Sequence, residues 1–167
     1  MLAFSLSRLL AQSTEYQFST LNFSNGLSNN HITCLYKDPH GFMWFGTMSG
    51  LDRYDGYEFK VFRHDRHDPY SIGDNYIEQI FEGPEGKMWV QSRSSRFNIY
   101  DLATDRFDQD YAGYLRKHSL PEFWLLAINH SATGYWFVYR DSGIFHLAVD
   151  GSVFGVRQND RLAGCLS

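Results

Sequence analysis

Residues 30–44, NHITCLYKDPHGFMW, return without a gap as residues 75–89, NYIEQIFEGPEGKMW. Asn, Ile, a second aliphatic, an aromatic, a Pro-containing turn, Gly, Met and Trp all keep one offset of 45 residues. A third, weaker copy runs from Leu125 to Trp136, its Gly-x-Trp one residue tighter than the Gly-x-x-Trp of the first two. Downstream, Ser142-Gly143-Ile144 answers Ser49-Gly50-Leu51. A repeat of this period restricts the fold to stacked units, because each unit buries its apolar faces only against its neighbours.

Each copy reads as four short strands. In the first, Ile32, Cys34 and Tyr36 alternate with more exposed positions, as in a half-buried strand. Asp38-Pro39-His40-Gly41 supplies a turn, in which Pro sets φ and Gly accepts a positive one. Phe42 to Thr47 is expected as a buried second strand, Ser49-Gly50 as a turn and Leu51 to Tyr54 as a third strand. Asp55-Gly56 is a two-residue hairpin signal, and Tyr57, Phe59 and Val61 alternate in a fourth strand. Four antiparallel strands per unit predict propeller blades. The expected fold class is all-β: a partial β-propeller of about three four-stranded antiparallel blades, an incomplete ring. The repeat region covers 14–150, with blades at about 26–68, 71–108 and 123–150. Trp44, Trp89 and Trp136 are expected as wedges between blades rather than as ligand platforms. Residues 109–123 form an enlarged connection with a helical turn around Tyr114 to Lys117, and 151–167 an irregular tail.

Composition agrees with strands. Aromatic residues make up 17% of the 167, and flat rings suit a pleated surface; a small helical bundle is excluded. A net charge of −4 gives phosphate no overall attraction, and basic clusters such as 63–68, RHDRHD, are mixed with acid, so no nucleic acid partner is expected. No apolar run approaches the roughly 20 residues that cross a bilayer, so no direct membrane insertion is expected. Residues 1–13 read either as the remnant of a secretory signal or as a disordered extension, since no basic region precedes the apolar stretch and Arg8 interrupts it. Cys34 and Cys165 are too few for a zinc site or a disulfide framework, and two unpaired thiols are expected over a bond between them.

Three segments of the first copy carry a more specific pattern: Gly26-Leu27-Ser28-Asn29, then Asp38 through Thr47 as D-x-x-G-x-x-W-x-G-T, then Gly50 through Gly56 as G-L-x-R-Y-D-G. Together they resemble the two-component regulator propeller repeat. Tyr16 to Gly26 also resembles the strand that precedes the first blade in such sensors. The second copy departs from the pattern, with Gln91-Ser92 in place of Gly-Thr and Arg93 to Arg96 in place of the Gly-Leu turn. The third resembles it weakly. The resemblance implies a non-catalytic fragment of a hybrid two-component sensor histidine kinase of the Bacteroidetes: periplasmic, sensing an oligosaccharide, often dimeric and without a cofactor. A closed ring of the usual size needs about twice as many blades. The chain is therefore expected to be an N-terminal part of a sensor, completed by remaining propeller blades or a second sensor chain. Fold by itself does not carry function. A fragment of a propeller-like carbohydrate-active enzyme and a protein-interaction propeller module are the alternative classes.

No nucleophile elbow, P-loop, H-E-x-x-H or G-x-G-x-x-G occurs, so no catalytic, cofactor-binding or metal residue is assigned. His64, Asp65, His67 and Asp68 have the ligand types for a divalent metal, but Arg66 among them favours a solvated loop. Asp38, Asp52, Asp55 and Glu58 offer carboxylates of the kind glycosidases pair, yet turn chemistry explains Asp38 and Asp55 more simply. A glycan site needs aromatic platforms beside hydrogen-bonding groups at the blade ends. Residues of those types in the connections are His31, Tyr57, Arg63, Tyr70, Asn75, Tyr76, Arg93 and Arg96, none of which the sequence alone assigns to a site.

Overall fold

Among the described residues, twelve strands pair in three separate four-stranded antiparallel sheets, each in simple sequence order. The computed structural model describes residues 18–94, 96–122 and 124–156. The first sheet comprises β1 (Ile32–Lys37), β2 (Met43–Thr47), β3 (Leu51–Tyr54) and β4 (Phe59–Phe62). The second comprises β5 (Ile77–Glu82), β6 (Met88–Ser92), β7 (Phe97–Asp101) and β8 (Arg106–Asp108). The third comprises β9 (Leu125–Ser131), β10 (Gly134–Tyr139), β11 (Gly143–Ala148) and β12 (Val153–Val156). Between the second and third sheets lies one helix, α1 (Tyr111–Lys117), at the place where a helical turn is expected. First strand packs on first strand, β1 on β5 and β5 on β9. The sheets thus follow one another as blades of an unclosed propeller.

The repeat extends to a shared irregularity. Every blade carries a bulge near the start of its first strand, between Ile32 and Cys34, between Ile77 and Gln79, and opposite Val138 and Tyr139. At the first of these, the Thr33 hydroxyl donates to the Ile77 carbonyl of the next blade at 2.6 Å.

Burial between blades holds the assembly. Trp44, fully buried, meets Tyr100 of the second blade edge-on at 5.0 Å and stacks on Phe62 at 5.5 Å. Trp89 meets Phe137 of the third blade at 6.0 Å and Tyr114 of α1 at 5.1 Å. Gly46 permits the close approach of the first two blades, since a Cβ there would lie 2.4 Å from Cys34 Sγ and 2.9 Å from Ile77 Cγ2. Trp136 occupies the same register but a different surrounding. Its ring lies with His146, at 4.5 Å, and Phe154, at 5.6 Å, on the face of the third sheet turned away from the second. The residue wedged against Trp89 is its neighbour Phe137. Trp136 is therefore not a wedge between two blades of the described residues.

Three boundaries differ from expectation. The third sheet runs to Val156 rather than ending at 150, because β12 pairs Val153 with Leu147 and Val156 with Ile144. The β3–β4 connection spans Asp55–Glu58, four residues instead of two. Asp55 Oδ1 accepts the Tyr57 and Glu58 amides at 2.8 and 2.9 Å, which places Tyr57 in the loop, 93% exposed. The described part of the segment leading into the first blade holds a short 3-10 turn, Phe23–Asn25, capped by Asn22, and no strand. Residues 1–17 and Cys165, with the readings attached to them, lie outside the described residues.

Candidate functional site

The β2–β3 turn, the β4–β5 connection and the β6–β7 turn share one end of the first two blades, because antiparallel strands return alternate connections to the same side. Several expected residues gather there. The Arg93 guanidinium lies 5.1 Å above the Tyr76 ring, and its amide donates to the Tyr76 carbonyl at 3.0 Å. Asn75 Oδ1 accepts the His64 amide at 2.7 Å, and Arg63 Nε donates to the Ser49 carbonyl at 3.0 Å. Fully buried Ile72 anchors the connection beneath them. The result is a surface of two exposed arginines beside a half-buried tyrosine and a half-buried amide on a pinned backbone. Arg96 stays exposed in the β6–β7 turn, its carbonyl accepting from Ser92. His31, exposed just before β1, donates its amide to Asn29 Oδ1.

Two expected residues lie elsewhere. Tyr57 is at the opposite end, in the β3–β4 loop. Tyr70 lies under the Arg106 guanidinium at 4.5 Å and lines an open groove along the outer edge of the second blade with Lys87, Asp101 and Asp108.

Three of the four acidic candidates, Asp38, Asp52 and Asp55, are each occupied by local partners. Asp38 Oδ1 accepts the His40 and Phe42 amides at 2.9 and 3.0 Å, and its Oδ2 accepts Trp44 Nε1 at 2.8 Å. Asp52 is buried against Ser28, whose amide and hydroxyl lie 3.1 and 2.5 Å from the carboxyl. Burial raises the Asp52 pKa, against the lowering effect of the Ser28 hydrogen bonds and the Arg63 charge. Asp55 caps its own loop, and the amide of Glu58 is spent on that cap. In the 64–68 stretch, His64 Nδ1 faces the Ile72 carbonyl at 3.0 Å, while Asp65 and Asp68 accept the His67 and Tyr70 amides at 2.9 Å each. Among the described residues no three His, Cys, Asp or Glu converge as a metal site.

Sequence reasoning passed over one set of groups. Pro84, Glu85, Tyr114, His118 and Tyr135 surround a cavity between the second and third blades. The only signal for it was the enlarged connection that α1 occupies.

Three sequential four-stranded antiparallel sheets, joined through their first strands and wedged apart by aromatic side chains, define an open segment of a β-propeller. Within it, residues 26–49 match the family model described as two component regulator propeller. The match lies in the first blade, from the Gly26 lead to the β2–β3 turn. Over 64 residues, 38% of this chain, the sequence is 34% identical to histidine kinase P4 of Formosa agariphila. A solved chain from B. thetaiotaomicron, described as the extracellular domain of a one component system, aligns over 77% of this chain with a TM-score of 0.52 and 23% identity. Another from B. thetaiotaomicron, described as the extracellular domain of a hybrid two component system, aligns over 84% with a TM-score of 0.45 and 18% identity. This chain spans 5% of the length of the kinase, and 18% and 26% of the two solved chains. Among the described residues no helix is long and apolar enough to cross a membrane.

Proposed function

We propose that the chain is part of the periplasmic, ligand-sensing region of a two-component sensor histidine kinase, and that it binds without turning its ligand over. The observation that carries this reading is the regulator propeller repeat at 26–49 seated in a propeller segment. The ligand class we propose is an oligosaccharide. The blade-end surface of Tyr76, Arg93, Arg63 and Asn75 combines a guanidinium plane stacked on a tyrosine ring with hydrogen-bond donors, groups suited to a sugar's hydroxyls. The carboxylates support a non-catalytic role, since Asp38, Asp52 and Asp55 each serve local backbone or side-chain partners. Further blades, or a second sensor chain, cover the outer faces of the segment; Ile144, Phe154 and Val156 are 44–57% exposed on one of them.

Thermal denaturation against an oligosaccharide panel tests the reading. A bound ligand raises Tm by mass action, and Arg93→Ala abolishes the rise. Release of reducing sugar that disappears on replacing a single Asp or Glu would establish the enzyme alternative instead.

A further inference from the structure

Arg93 has a counterpart in the next blade. Arg140 is the first residue after β10, as Arg93 is the first after β6. Its guanidinium lies 4.1 Å from the centroid of the Trp124 ring, as that of Arg93 lies 5.1 Å from the Tyr76 ring. Trp124 immediately precedes β9, as Tyr76 immediately precedes β5. The Arg140 amide donates to the Trp124 carbonyl at 2.9 Å, and the Arg93 amide to the Tyr76 carbonyl at 3.0 Å. The first blade holds Met48 and His31 at the same two places. The arrangement therefore belongs to the second and third blades and is not a requirement of the blade itself.

Position and charge give the two arginines a use. β1, β5 and β9 pack on one another, which makes them the strands nearest the axis of the propeller. Tyr76 and Trp124 stand at the same end of β5 and β9, so both arginines flank the mouth of that axis. Both are exposed. Among the described residues neither guanidinium has a carboxylate within ion-pair distance. The acids of these connections are engaged elsewhere or stand apart. Asp74 Oδ1 accepts the Tyr76 amide at 3.1 Å, and Glu122 pairs with Arg116 at 2.7 Å. Asp141, next to Arg140 in the turn, is exposed.

A guanidinium resting on a ring is held in place while the N–H groups along its edge stay free. Such an edge binds the paired oxygens of a carboxylate or sulfonate bidentately. Stacked sheets lie about 10 Å apart, so consecutive blades present two such edges at a spacing of that order. We infer that this end of the second and third blades binds a ligand carrying two oxyanions, one for Arg93 and one for Arg140. The inference shares Arg93 and Tyr76 with the oligosaccharide reading but does not rest on it, since it specifies charge and not a sugar.

The experiment is an NMR titration of the full chain with suberate and with hexanedisulfonate, two flexible dianions. Octanoate, with one charge, and octanediol, with none, are the comparisons. Saturable shifts are expected at the Arg93 and Arg140 amides and the Trp124 indole for at least one dianion. Octanoate is expected to bind about tenfold more weakly, because it engages one arginine only. Arg93→Ala and Arg140→Ala are each expected to weaken the dianion about tenfold. Arg140→Lys recovers only part of that loss, since an ammonium lacks the planar fork. Alanine keeps the amide that bonds the aromatic carbonyl, so these variants are expected to fold, which Tm checks. Arg106→Ala, which removes the guanidinium over Tyr70 on the outer edge, is expected to leave binding unchanged. No saturable shifts with either dianion, octanediol binding as well as suberate, or equal losses in Arg106→Ala and Arg140→Ala would overturn the inference. A neutral oligosaccharide whose Tm shift needs Arg93 but not Arg140, with no dianion bound, would refute it and leave the sensor reading standing.

Discussion

Replacing Asp38 by Ala removes three hydrogen bonds from a carboxylate that is only 3% exposed. The three losses are unequal. The His40 and Phe42 amides lie in a turn where water can take over, so each costs about 0.5–1 kcal/mol. Trp44 is fully buried, and its Nε1–H is left with no acceptor at all, which costs about 1–3 kcal/mol. The expected destabilisation is therefore about 2–5 kcal/mol. Asp38→Asn keeps an oxygen for the amides but turns an NH₂ toward the indole N–H, and is expected to cost about half as much. The second blade provides an internal comparison. There Gly83 stands where the first blade has Asp38, and Trp89 Nε1 is buried without a partner. The acceptor cannot simply be restored, since a Cβ at Gly83 would lie 2.1 Å from Trp89 Cδ1. Urea unfolding followed by far-UV circular dichroism measures these costs. In a double-mutant cycle with Trp44→Phe, the Asp38→Ala cost is expected to fall by at least about 1 kcal/mol, because Phe has no N–H to strand. A cost for Asp38→Ala below about 0.5 kcal/mol, or a cycle that is additive, would refute the reasoning.

Other consequences follow from the same geometry. Asp52–Ser28, Ser28–Thr47 and Thr47–Gly50 form a run of three contacts for which an ionised Asp52 leaves only two hydroxyl protons. Asp52 has a raised folded pKa, so its contribution to stability is full below the unfolded value near 4 and is lost as pH rises through the folded value. Asp52→Asn is accordingly expected to raise Tm at pH 7 and to leave it nearly unchanged at pH 4; a lower Tm at pH 7 counts against it. Gly46→Ala is expected to cost about 1–3 kcal/mol in urea unfolding, and Cys34→Ala in the same chain to recover part of that by vacating the space of the Sγ. Asp105 bridges the first two blades, accepting from Arg53, Lys60 and Tyr100. Burial raises its pKa, but Lys60, Tyr100 and Arg53 together lower it overall. Its contribution is therefore full above about pH 4 and lost as pH falls through the folded value. Asp105→Asn, which tolerates the left-handed backbone at this position, should flatten that acid limb and cost under about 1 kcal/mol at pH 7.

The blade-end surface was only partly legible beforehand. Arg93 and Arg96 drew notice because they replace a Gly-Leu turn, and that replacement is local. That Arg93 covers Tyr76 depends on the β4–β5 connection folding back across the blade end, a path set by the burial of Ile72. Glu85, Tyr114, His118 and Tyr135 share a cavity although up to 50 residues separate them in the chain, and no local pattern announces such a meeting. Their types are ordinary: two tyrosines, a histidine and a glutamate in separate segments.

What the sequence determined by itself is the blade. Period-two alternation, the Asp-Pro and Ser-Gly turns and the 45-residue offset act within a few residues of one another. Backbone sterics and turn hydrogen bonds therefore set β1 to β4 and β5 to β8 close to where they were expected. Only the tertiary structure decided which face of each sheet meets a neighbour. Trp44 and Trp89 are buried because a further sheet lies against them, while Trp136 in the same register lies on an uncovered face and Phe137 takes the wedge. β12 forms because β11 offers an edge to Val153, Phe154 and Val156, strand-forming residues that carry none of the repeat's pattern. Burial belongs to pairs of sheets, and the alternation within one strand cannot say which of its two sides will be covered.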